Sequence, residues 1–354
     1  MLIVKYRYAH TTLRQAQGER PNKNEVSLNN PINKIKIVEV AAAVLQRPDG
    51  AFLLAQRPAD KIWAGYWEFP GGKIEAGETP FHALVRELRE ELGIEVETAY
   101  PWITRVFTYP HATVRLNFFR VTEWRGELHP HEGQEFAWQP SLSPTLSRKR
   151  ERGQIGVSPI LPANAPILRA LELPALYAIS NAAELGIEPF MARLKAKLGE
   201  DLRLIQLREK NLARDELCEL ARRVTALAHA HGARVLLNGD FALAQEVGAD
   251  GVQLTAIQLA ELHERPAVDW CGASCHNAEE LRRAEALGCD FALLSPVLPT
   301  QSHPGTPPLG WENFAAIVAG STIPVYALGG LAQGDMQTAW QHGAHGISLL
   351  RQAW

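Results

Sequence analysis

The hydrophobic pattern of the chain has one character in its first half and another in its second. In the first half, apolar segments of strand length occupy residues 35–44, 102–109 and 113–121. Residues 83–92 are instead rich in strong helix formers, and Gly93 after them is a residue that favours helix termination. This order of strands, a helix and further strands predicts an α/β unit.

Strand and helix signals alternate regularly through the second half. Amphipathic segments separate eight short apolar ones, at residues 176–180, 202–209, 234–237, 251–255, 270–275, 291–297, 324–330 and 346–350. Eight such units predict a compact (β/α)8 TIM barrel, with its chemistry at the carboxyl ends of the strands. The sequence stops four residues after the eighth segment, so we expect the last helix to be missing or vestigial.

Two polar stretches interrupt these patterns. Residues 1–34 are Asn-rich and without sustained periodicity, and we expect them to form a disordered arm. Residues 141–158 are rich in Ser and Pro and then basic, which is typical of a flexible insertion. The sequence therefore predicts an arm (1–34), a first domain (35–172) and a second domain (173–354).

Charge and cysteine content exclude several classes of protein. The 354 residues carry a formal net charge of -3, which gives no reason to expect duplex nucleic acid or an acidic membrane as a partner. The four cysteines lack the paired spacing of a metal site, and we expect reduced core thiols. No apolar run reaches transmembrane length, and the start lacks the apolar core of a signal peptide. We expect a cytoplasmic protein, while the sequence leaves its oligomeric state open.

The strongest chemical signal lies within the predicted helix of the first half. Glu87, Glu90 and Glu91 stand at positions i, i+3 and i+4, so they project from one helix face. Three like charges on one face repel each other unless they are neutralised. A hard cation such as Mg²⁺ would neutralise them, because it prefers carboxylate oxygens. Arg86 can pair with a loop carboxylate such as Glu78 and fix the loop against the helix. A solvated, charged helix face is the alternative interpretation.

The full spacing favours the metal site. Gly72, five residues, Glu78, seven residues and then residues 86–94 match every defined position of the Nudix box, so the chain resembles a Nudix hydrolase. The resemblance implies an α/β/α sandwich and cleavage of a nucleoside diphosphate linked to another group. It also implies Mg²⁺ or Mn²⁺ held by the box glutamates, with Gly71 included in the metal site.

Residues 67–80 are similar to the MutT branch of that family, which sanitises oxidised nucleotides. The resemblance implies hydrolysis of 8-oxo-dGTP to the monophosphate and pyrophosphate. This branch uses a further glutamate of a Glu-Gly-Gln segment near the metals, and here that residue is Glu132.

The same resemblance implies a set of residues that read the nucleobase. Asn164 lies in a Pro-Ala-Asn-Ala-Pro turn that matches the base-reading asparagine, Arg57 matches a substrate contact and Phe69 a ring beside the base. An amide offers two donors and an acceptor, which suits an oxidised guanine. A turn-forming Asn before a helix is the alternative for Asn164. His111 and Ala112 replace a charged pair of the branch, so part of its base pocket differs here.

The second half resembles the thiamine-phosphate synthase/TenI family across nearly the whole predicted barrel. The Gln-Leu-Arg-Glu-Lys segment that holds Arg208 and Lys210 matches its first motif. Gly329, Gly330 and Ser348 match its phosphate-cradling turns. The resemblance implies a bound thiazole or thiamine phosphate.

Three departures separate the barrel from an active synthase. Gly239 and Gln258 occupy the positions of two Mg²⁺-binding aspartates, and His303 replaces a lysine of the phosphate loop. His276 matches the catalytic histidine of the TenI branch, a thiazole tautomerase, which needs no metal to move a proton. A tautomerase and a degenerate ligand-binding barrel both remain open. The barrel also raises an alternative for the first half, a Nudix diphosphatase acting on a thiamine-pathway pyrophosphate.

Overall fold

A computed structural model describes residues 37–131, 133–142, 155–301 and 305–354. These residues belong to one compact unit. The predicted N-terminal arm (1–34), Glu132, His303 and most of the predicted insertion 141–158 lie outside the described residues.

The first half contains seven strands and two α-helices among the described residues. They are β1 (Ile37–Leu45), β2 (Phe52–Gln56), β3 (Trp67–Glu68), β4 (Gly71–Lys73), α1 (Pro80–Leu92), β5 (Glu95–Thr108), β6 (Thr113–Arg125), β7 (Phe136–Gln139) and α2 (Ala165–Leu171). One sheet has the order β4-β1-β6-β5 and a second the order β3-β2-β7.

Strand β1 shows why this half is layered. Its residues alternate between two hydrophobic cores, as a strand period of two requires. Ala41 and Ala43 pack in the core that holds the apolar face of α1, while Ala42 and Val44 pack in the core that holds α2. The large sheet is therefore covered by a helix on each face, which is the predicted α/β/α sandwich.

Helix α1 is defined by strong local signals. Thr79 caps it by accepting a hydrogen bond from the backbone N–H of His82, and Pro80 occupies the first turn. Gly93 ends the helix in the left-handed conformation, with φ of 70°. Leu84, Leu88 and Leu92 lie on its buried face, while the Glu90 side chain is exposed.

The second half forms a closed, all-parallel barrel of eight strands, which confirms the predicted architecture. Its strands are β8 (Leu176–Ile179), β9 (Leu204–Leu207), β10 (Arg234–Asn238), β11 (Gly251–Leu254), β12 (Trp270–Cys275), β13 (Phe291–Leu294), β14 (Val325–Leu328) and β15 (Gly346–Leu349). Its helices are α3 (Ala182–Leu185), α4 (Ile187–Gly199), α5 (Arg214–Ala230), α6 (Phe241–Glu246), α7 (Ala256–Glu261), α8 (Ala278–Leu287), α9 (Gly310–Val318) and α10 (Met336–Gln341). A short 3-10 helix, Arg351–Ala353, follows β15 in place of a full last helix. Among the described residues, no helix is both long enough and apolar enough to cross a membrane.

Helix α2 joins the sandwich to the amino-terminal end of the barrel. The Arg169 guanidinium lies 3.4 Å from the ring centroid of Trp270, and Nη2 donates to the Asp269 carbonyl oxygen at 2.8 Å. Glu172, just after the helix, accepts a hydrogen bond from Arg234 at 2.9 Å. Because Trp270 is fully buried, these contacts place the end of α2 directly on the barrel core.

Replacing Arg169 should weaken this junction. Arg169→Ala removes the stacking on a buried indole and the pairing with Asp269, and we expect a loss of about 2 kcal/mol in unfolding free energy. Urea denaturation of the full chain measures the loss, with Arg223→Ala as the control because Arg223 pairs with Glu188 on the exposed surface. Equal losses of unfolding free energy in the two variants would show that the Arg169 contacts stabilise the protein no more than a surface ion pair does.

Candidate functional site

The glycine loop lies directly against helix α1. Strand β4 pairs antiparallel with β1, so that Gly72 faces Ala41 and Gly71 faces Ala42. A Cβ atom on Gly71 would lie 2.2 Å from the Ala41 carbonyl oxygen, and one on Gly72 would lie 2.2 Å from the Glu87 carboxyl carbon. A Cβ at position 71 would collide with the backbone of β1, so that position needs glycine, whereas a Cβ at position 72 would collide with the movable carboxylate end of Glu87.

Arg86 ties the loop to the helix. Its Nε and Nη2 donate to the two carboxylate oxygens of Glu78 at 2.8 and 2.9 Å, a bidentate pair. Nη2 also donates to the Lys73 carbonyl oxygen at 3.0 Å. Nη1 donates to Glu87 at 2.8 Å and to Glu90 at 3.2 Å. The structure thus shows the Arg86–Glu78 pairing that the sequence predicts.

This network holds the Glu78 carboxylate ionised. Hydrogen bonding from Arg86, followed by the backbone N–H of Glu75, lowers the pKa of Glu78 to about 2. The same pairing raises the pKa of Arg86 above its ordinary value. Because the folded pKa of Glu78 is depressed, its contribution to loop order is complete above about pH 4.5 and declines as the pH falls towards 2.

The three box glutamates are oxygen donors of the kind that a hard divalent cation prefers. Glu87 is largely buried, Glu90 is exposed, and Glu91 accepts a hydrogen bond from the backbone N–H of Gly71 at 3.1 Å. In the described part of the chain, no three acidic, His or Cys side chains are already grouped as metal ligands. Arg86 bridges Glu87 and Glu90 instead. The donor set fits Mg²⁺ or Mn²⁺, and a bound cation would take over part of the neutralisation that Arg86 supplies.

Residues on either side of Glu132 are anchored at the same end of α1. The His131 N–H donates to the Glu91 carbonyl oxygen at 3.1 Å, and Gln134 Nε2 donates to the same oxygen at 3.3 Å. The Glu-Gly-Gln segment predicted to contribute to the metal site is therefore bracketed by contacts to Glu91, while the role of Glu132 itself stays a prediction.

Asn164 is a buried amide without a partner for its nitrogen. Its residue is 3% exposed, and Nδ2 has no hydrogen-bond partner among the described residues. The segment that carries it is held on β3, because the Trp67 N–H donates to Pro159 at 2.8 Å and the Leu161 N–H donates to Trp67 at 3.0 Å. An unsatisfied buried donor costs about 1–3 kcal/mol, so the Asn164 amide is a marker of a ligand site.

Two ionisable residues, Glu68 and Tyr109, lie close to Arg57. Arg57 donates to Glu68 at 2.5 Å and to the Ile62 carbonyl oxygen at 2.8 Å. Burial raises the pKa of Glu68. Burial also raises the pKa of Tyr109, and a hydrogen bond with the Ala163 backbone partly offsets that rise. Sequence reasoning missed Glu68 and Tyr109, although Glu68 stands inside the MutT-like segment that it quoted.

Phe69 has a different environment from the one expected of a ring beside a base. It is 4% exposed, with its ring centroid 6.0 Å from that of Phe52 and 5.7 Å from that of Phe118. Phe69 is therefore a core residue in this structure, and its contact with a base stays a prediction.

A cavity of about 570 Å³ opens at the carboxyl ends of the barrel strands. Its lining includes every barrel residue singled out as a candidate, namely Arg208, Lys210, His276, Gly329, Gly330 and Ser348. No carboxylate is found in that lining among the described residues. The Arg208 charge lowers the pKa of Lys210, so the two cations repel each other. Burial separately lowers the pKa of Arg208. Such a cavity suits an anionic ligand.

Ser348 and Gln258 both donate hydrogen bonds to backbone carbonyl oxygens of the barrel. Ser348 Oγ donates to the Tyr177 carbonyl oxygen at 2.9 Å, so its hydroxyl belongs to the barrel wall. Gln258 Nε2 donates to the Gly239 carbonyl oxygen at 2.7 Å. Gly239 and Gln258 are thus neighbours, as two ligands of one metal would be, but they offer an amide in place of carboxylates.

His276 lies at the end of β12 and is held by Glu280. Nδ1 of His276 is 3.0 Å from Glu280 Oε2, and the backbone N–H of His276 donates to the same oxygen at 2.7 Å. An ionised carboxylate accepts hydrogen bonds and does not donate them, so Nδ1 carries a proton and Nε2 of the neutral ring is the basic nitrogen. Sequence reasoning missed Glu280, whose i+4 spacing from His276 is the signal that could have found it.

The two halves match different families. A profile of the family described as Thiamine monophosphate synthase matches residues 176–353, and one of the family described as NUDIX domain matches residues 41–144. The chain is a Nudix–TenI fusion and belongs to both families.

Three relatives illustrate the similarity. A protein of Aquifex aeolicus (strain VF5), provisionally named thiamine-phosphate synthase 2, is 38% identical over 180 residues, 50% of this chain and 96% of its own. CTP pyrophosphohydrolase of Escherichia coli (strain K12) is 40% identical over 136 residues, 38% of this chain and 92% of its own. 8-oxo-dGTP diphosphatase of Proteus vulgaris is 43% identical over 98 residues, 28% of this chain and 88% of its own. The Nudix half of the fusion is therefore a hydrolase of phosphoric anhydrides.

The close approach of Gly72 to Glu87 gives a test of the Nudix site. In Gly72→Ala the new methyl group displaces the flexible end of Glu87, so the fold should survive while hydrolysis falls about a hundredfold through misplacement of a metal ligand. Steady-state pyrophosphate release and the melting temperature measure the two effects. Gly199→Ala is the control, because its Cβ would meet no atom within 4 Å. Full activity of Gly72→Ala would show that the Glu87 position is not critical.

Proposed function

We propose that the Nudix half hydrolyses an oxidised purine deoxynucleoside triphosphate, 8-oxo-dGTP foremost, to the monophosphate and pyrophosphate. The observation that carries the proposal is the buried Asn164 amide, whose nitrogen has no partner among the described residues. The 8-oxo-dGTP diphosphatase of Proteus vulgaris supports the same substrate.

The chemistry of the base matches this amide. Oxidation at C8 converts N7 of guanine from an acceptor into an N–H donor, while O6 remains an acceptor. An Asn side chain presents a carbonyl acceptor beside an NH₂ donor, so Asn164 can bind both groups at once. Unmodified dGTP offers two acceptors at that edge and leaves the Asn164 carbonyl without a donor.

The acidic residues are assigned to the metal. Glu87, Glu90 and Glu91 would hold Mg²⁺ or Mn²⁺ together with Gly71 and Glu132, as the family resemblance implies. A bound cation supplies charge neutralisation at the phosphate oxygens and a lower pKa for the attacking water. Arg86 and Glu78 keep the loop in place, and Arg57 contributes to substrate binding from beside Glu68.

CTP is the second candidate substrate. The Escherichia coli relative named CTP pyrophosphohydrolase is 40% identical to this chain over 136 residues. His111, at the tip of the β5–β6 hairpin, stands where the MutT branch has a charged residue, so the wall of the base pocket differs in this chain. Hydrolysis rates for 8-oxo-dGTP, dGTP and CTP on the full chain separate the candidates, with Glu90→Gln as the inactive control for all three.

Changing Asn164 should alter the choice of base more than the chemistry. Asn164→Ala removes both hydrogen bonds, and we expect the preference for 8-oxo-dGTP over dGTP in kcat/KM to fall by about 1–3 kcal/mol, or roughly 5- to 150-fold. Asn164→Asp keeps the acceptor for the N7–H of the oxidised base and loses only the donor to O6, so it should weaken the binding of both nucleotides while keeping the preference for 8-oxo-dGTP. Unchanged discrimination in Asn164→Ala would assign base reading to other groups, such as those near His111.

For the barrel we propose binding of a thiazole or thiamine phosphate without synthase activity. The cavity holds Arg208 and Lys210 and no carboxylate among its described lining residues, which suits a phosphate and not a metal-assisted pyrophosphate displacement. If the barrel has chemistry, His276 Nε2 is the proton carrier, as in the TenI-type tautomerase.

Titration calorimetry on the full chain tests the barrel. Thiamine phosphate should bind, Arg208→Ala should weaken it about tenfold or more through loss of a charge-assisted hydrogen bond, and His276→Asn should leave it intact. Arg222→Ala, on the outer surface of α5, is the control. No thiamine phosphate should form from its pyrimidine and thiazole precursors with Mg²⁺, and robust synthesis would overturn the proposal.

A further inference from the structure

A second cavity, of about 210 Å³, lies where the sandwich meets the amino-terminal end of the barrel. We call it the junction cavity, and its lining residues are Gln46, Tyr100, Arg120, Thr122, Ser141, Leu171, Leu173, Pro174, Ala175, Trp340 and His345. It lies at the opposite end of the barrel from the large cavity, because His345 directly precedes β15. Neither proposed activity uses it.

Arg120, from strand β6, carries the one ionised side chain among the described residues of this lining. It is 8% exposed, and its Nε has no hydrogen-bond partner among the described residues. Nη1 donates to the His345 carbonyl oxygen at 2.7 Å, and Nη2 is 2.7 Å from His345 Nδ1. The guanidinium carbon also lies 4.2 Å from the ring centroid of Trp102. Every one of these partners is neutral.

The state of His345 follows from its other contact. Its Nε2 is 3.0 Å from the Leu173 carbonyl oxygen, which can only accept, so Nε2 carries the proton and Nδ1 accepts from Arg120. Burial, and then the Arg120 charge, holds the pKa of His345 well below its usual range. His345 therefore does not add a second charge, and it cannot balance the first.

A buried cation without an anion is costly. Removing a guanidinium from water costs several kcal/mol unless a counter-charge and hydrogen bonds compensate. No Asp or Glu lines the junction cavity among the described residues, and no ion pair is found for Arg120 there. The Thr122 and Tyr100 hydroxyls of the lining can donate hydrogen bonds, whereas the Trp340 indole N–H already donates to the His345 carbonyl oxygen at 3.2 Å. Water could fill the space but would leave the charge unbalanced.

We propose that the junction cavity binds a small oxyanion of the size of inorganic phosphate, with the Arg120 guanidinium supplying the opposite charge. Arg120 comes from the sandwich, while His345 and Trp340 come from the barrel. An anion bound there interacts with both halves, so its occupancy stabilises their association.

Phosphate titration of the full chain tests this site. The background is the Arg208→Ala/Lys210→Ala double variant without divalent metal, so that the large barrel cavity and the Nudix site contribute as little as possible. Calorimetry should show one bound phosphate, and sulfate should compete for it. Adding Arg120→Gln should weaken phosphate at least tenfold and abolish the rise in melting temperature that phosphate produces. Adding Arg222→Gln, on the exposed face of α5, should change neither.

A second measurement covers the case in which Arg120→Gln fails to fold. In the same background with Arg120 intact, phosphate should shift the NMR signals of the Arg120 Nε–H and the Trp340 indole N–H. A protein that binds no phosphate, or one whose phosphate affinity is the same with and without Arg120, would overturn the proposal. So would phosphate binding that leaves both NMR signals unmoved.

Discussion

The guanidinium of Arg86 is the interaction on which the Nudix half depends. It binds two loop groups, Glu78 and the Lys73 carbonyl, and two helix carboxylates, Glu87 and Glu90. Without a cation at this point, the acidic face of α1 would repel itself and the loop would lose its anchor. The bidentate geometry also explains why lysine would be a poor substitute, since its ammonium group cannot present a planar fork.

Helix α2 extends the consequences of that arrangement to the barrel. Its amino-terminal end follows Asn164, the amide assigned to base reading, and its carboxyl-terminal end carries Arg169, which stacks on Trp270 in the barrel core. Arg169 at the junction therefore lies five positions after Asn164 in the proposed base pocket. A short helix is rigid over that length, so the position of Asn164 depends on how the end of α2 is seated.

The barrel keeps the electrostatic character of a phosphate site while lacking the carboxylates of a metal site. Arg208 and Lys210 line the large barrel cavity. Gln258 Nε2 donates to the Gly239 carbonyl oxygen, so these two residues offer no carboxylate. Glu280 holds His276 so that one ring nitrogen is the base. These features favour binding and proton transfer over displacement of pyrophosphate, since that leaving group needs its charge neutralised.

The sequence by itself determined the elements that depend on local interactions. The Nudix spacing, the end of α1 at Gly93 and the eight barrel strands follow from charge spacing, a terminating glycine and periodicity, and all are present in the structure. The start of α1 was not predicted, because the helix begins at Pro80, three residues before the predicted segment. Burial was not determined in this way. Phe69 lies in the core, the Asn164 side-chain nitrogen has no partner among the described residues, and Arg120 bonds His345 across a sequence separation of 225 positions. Only the tertiary structure decides such contacts, because desolvation depends on which distant residues pack together and leaves no periodic signal in the chain.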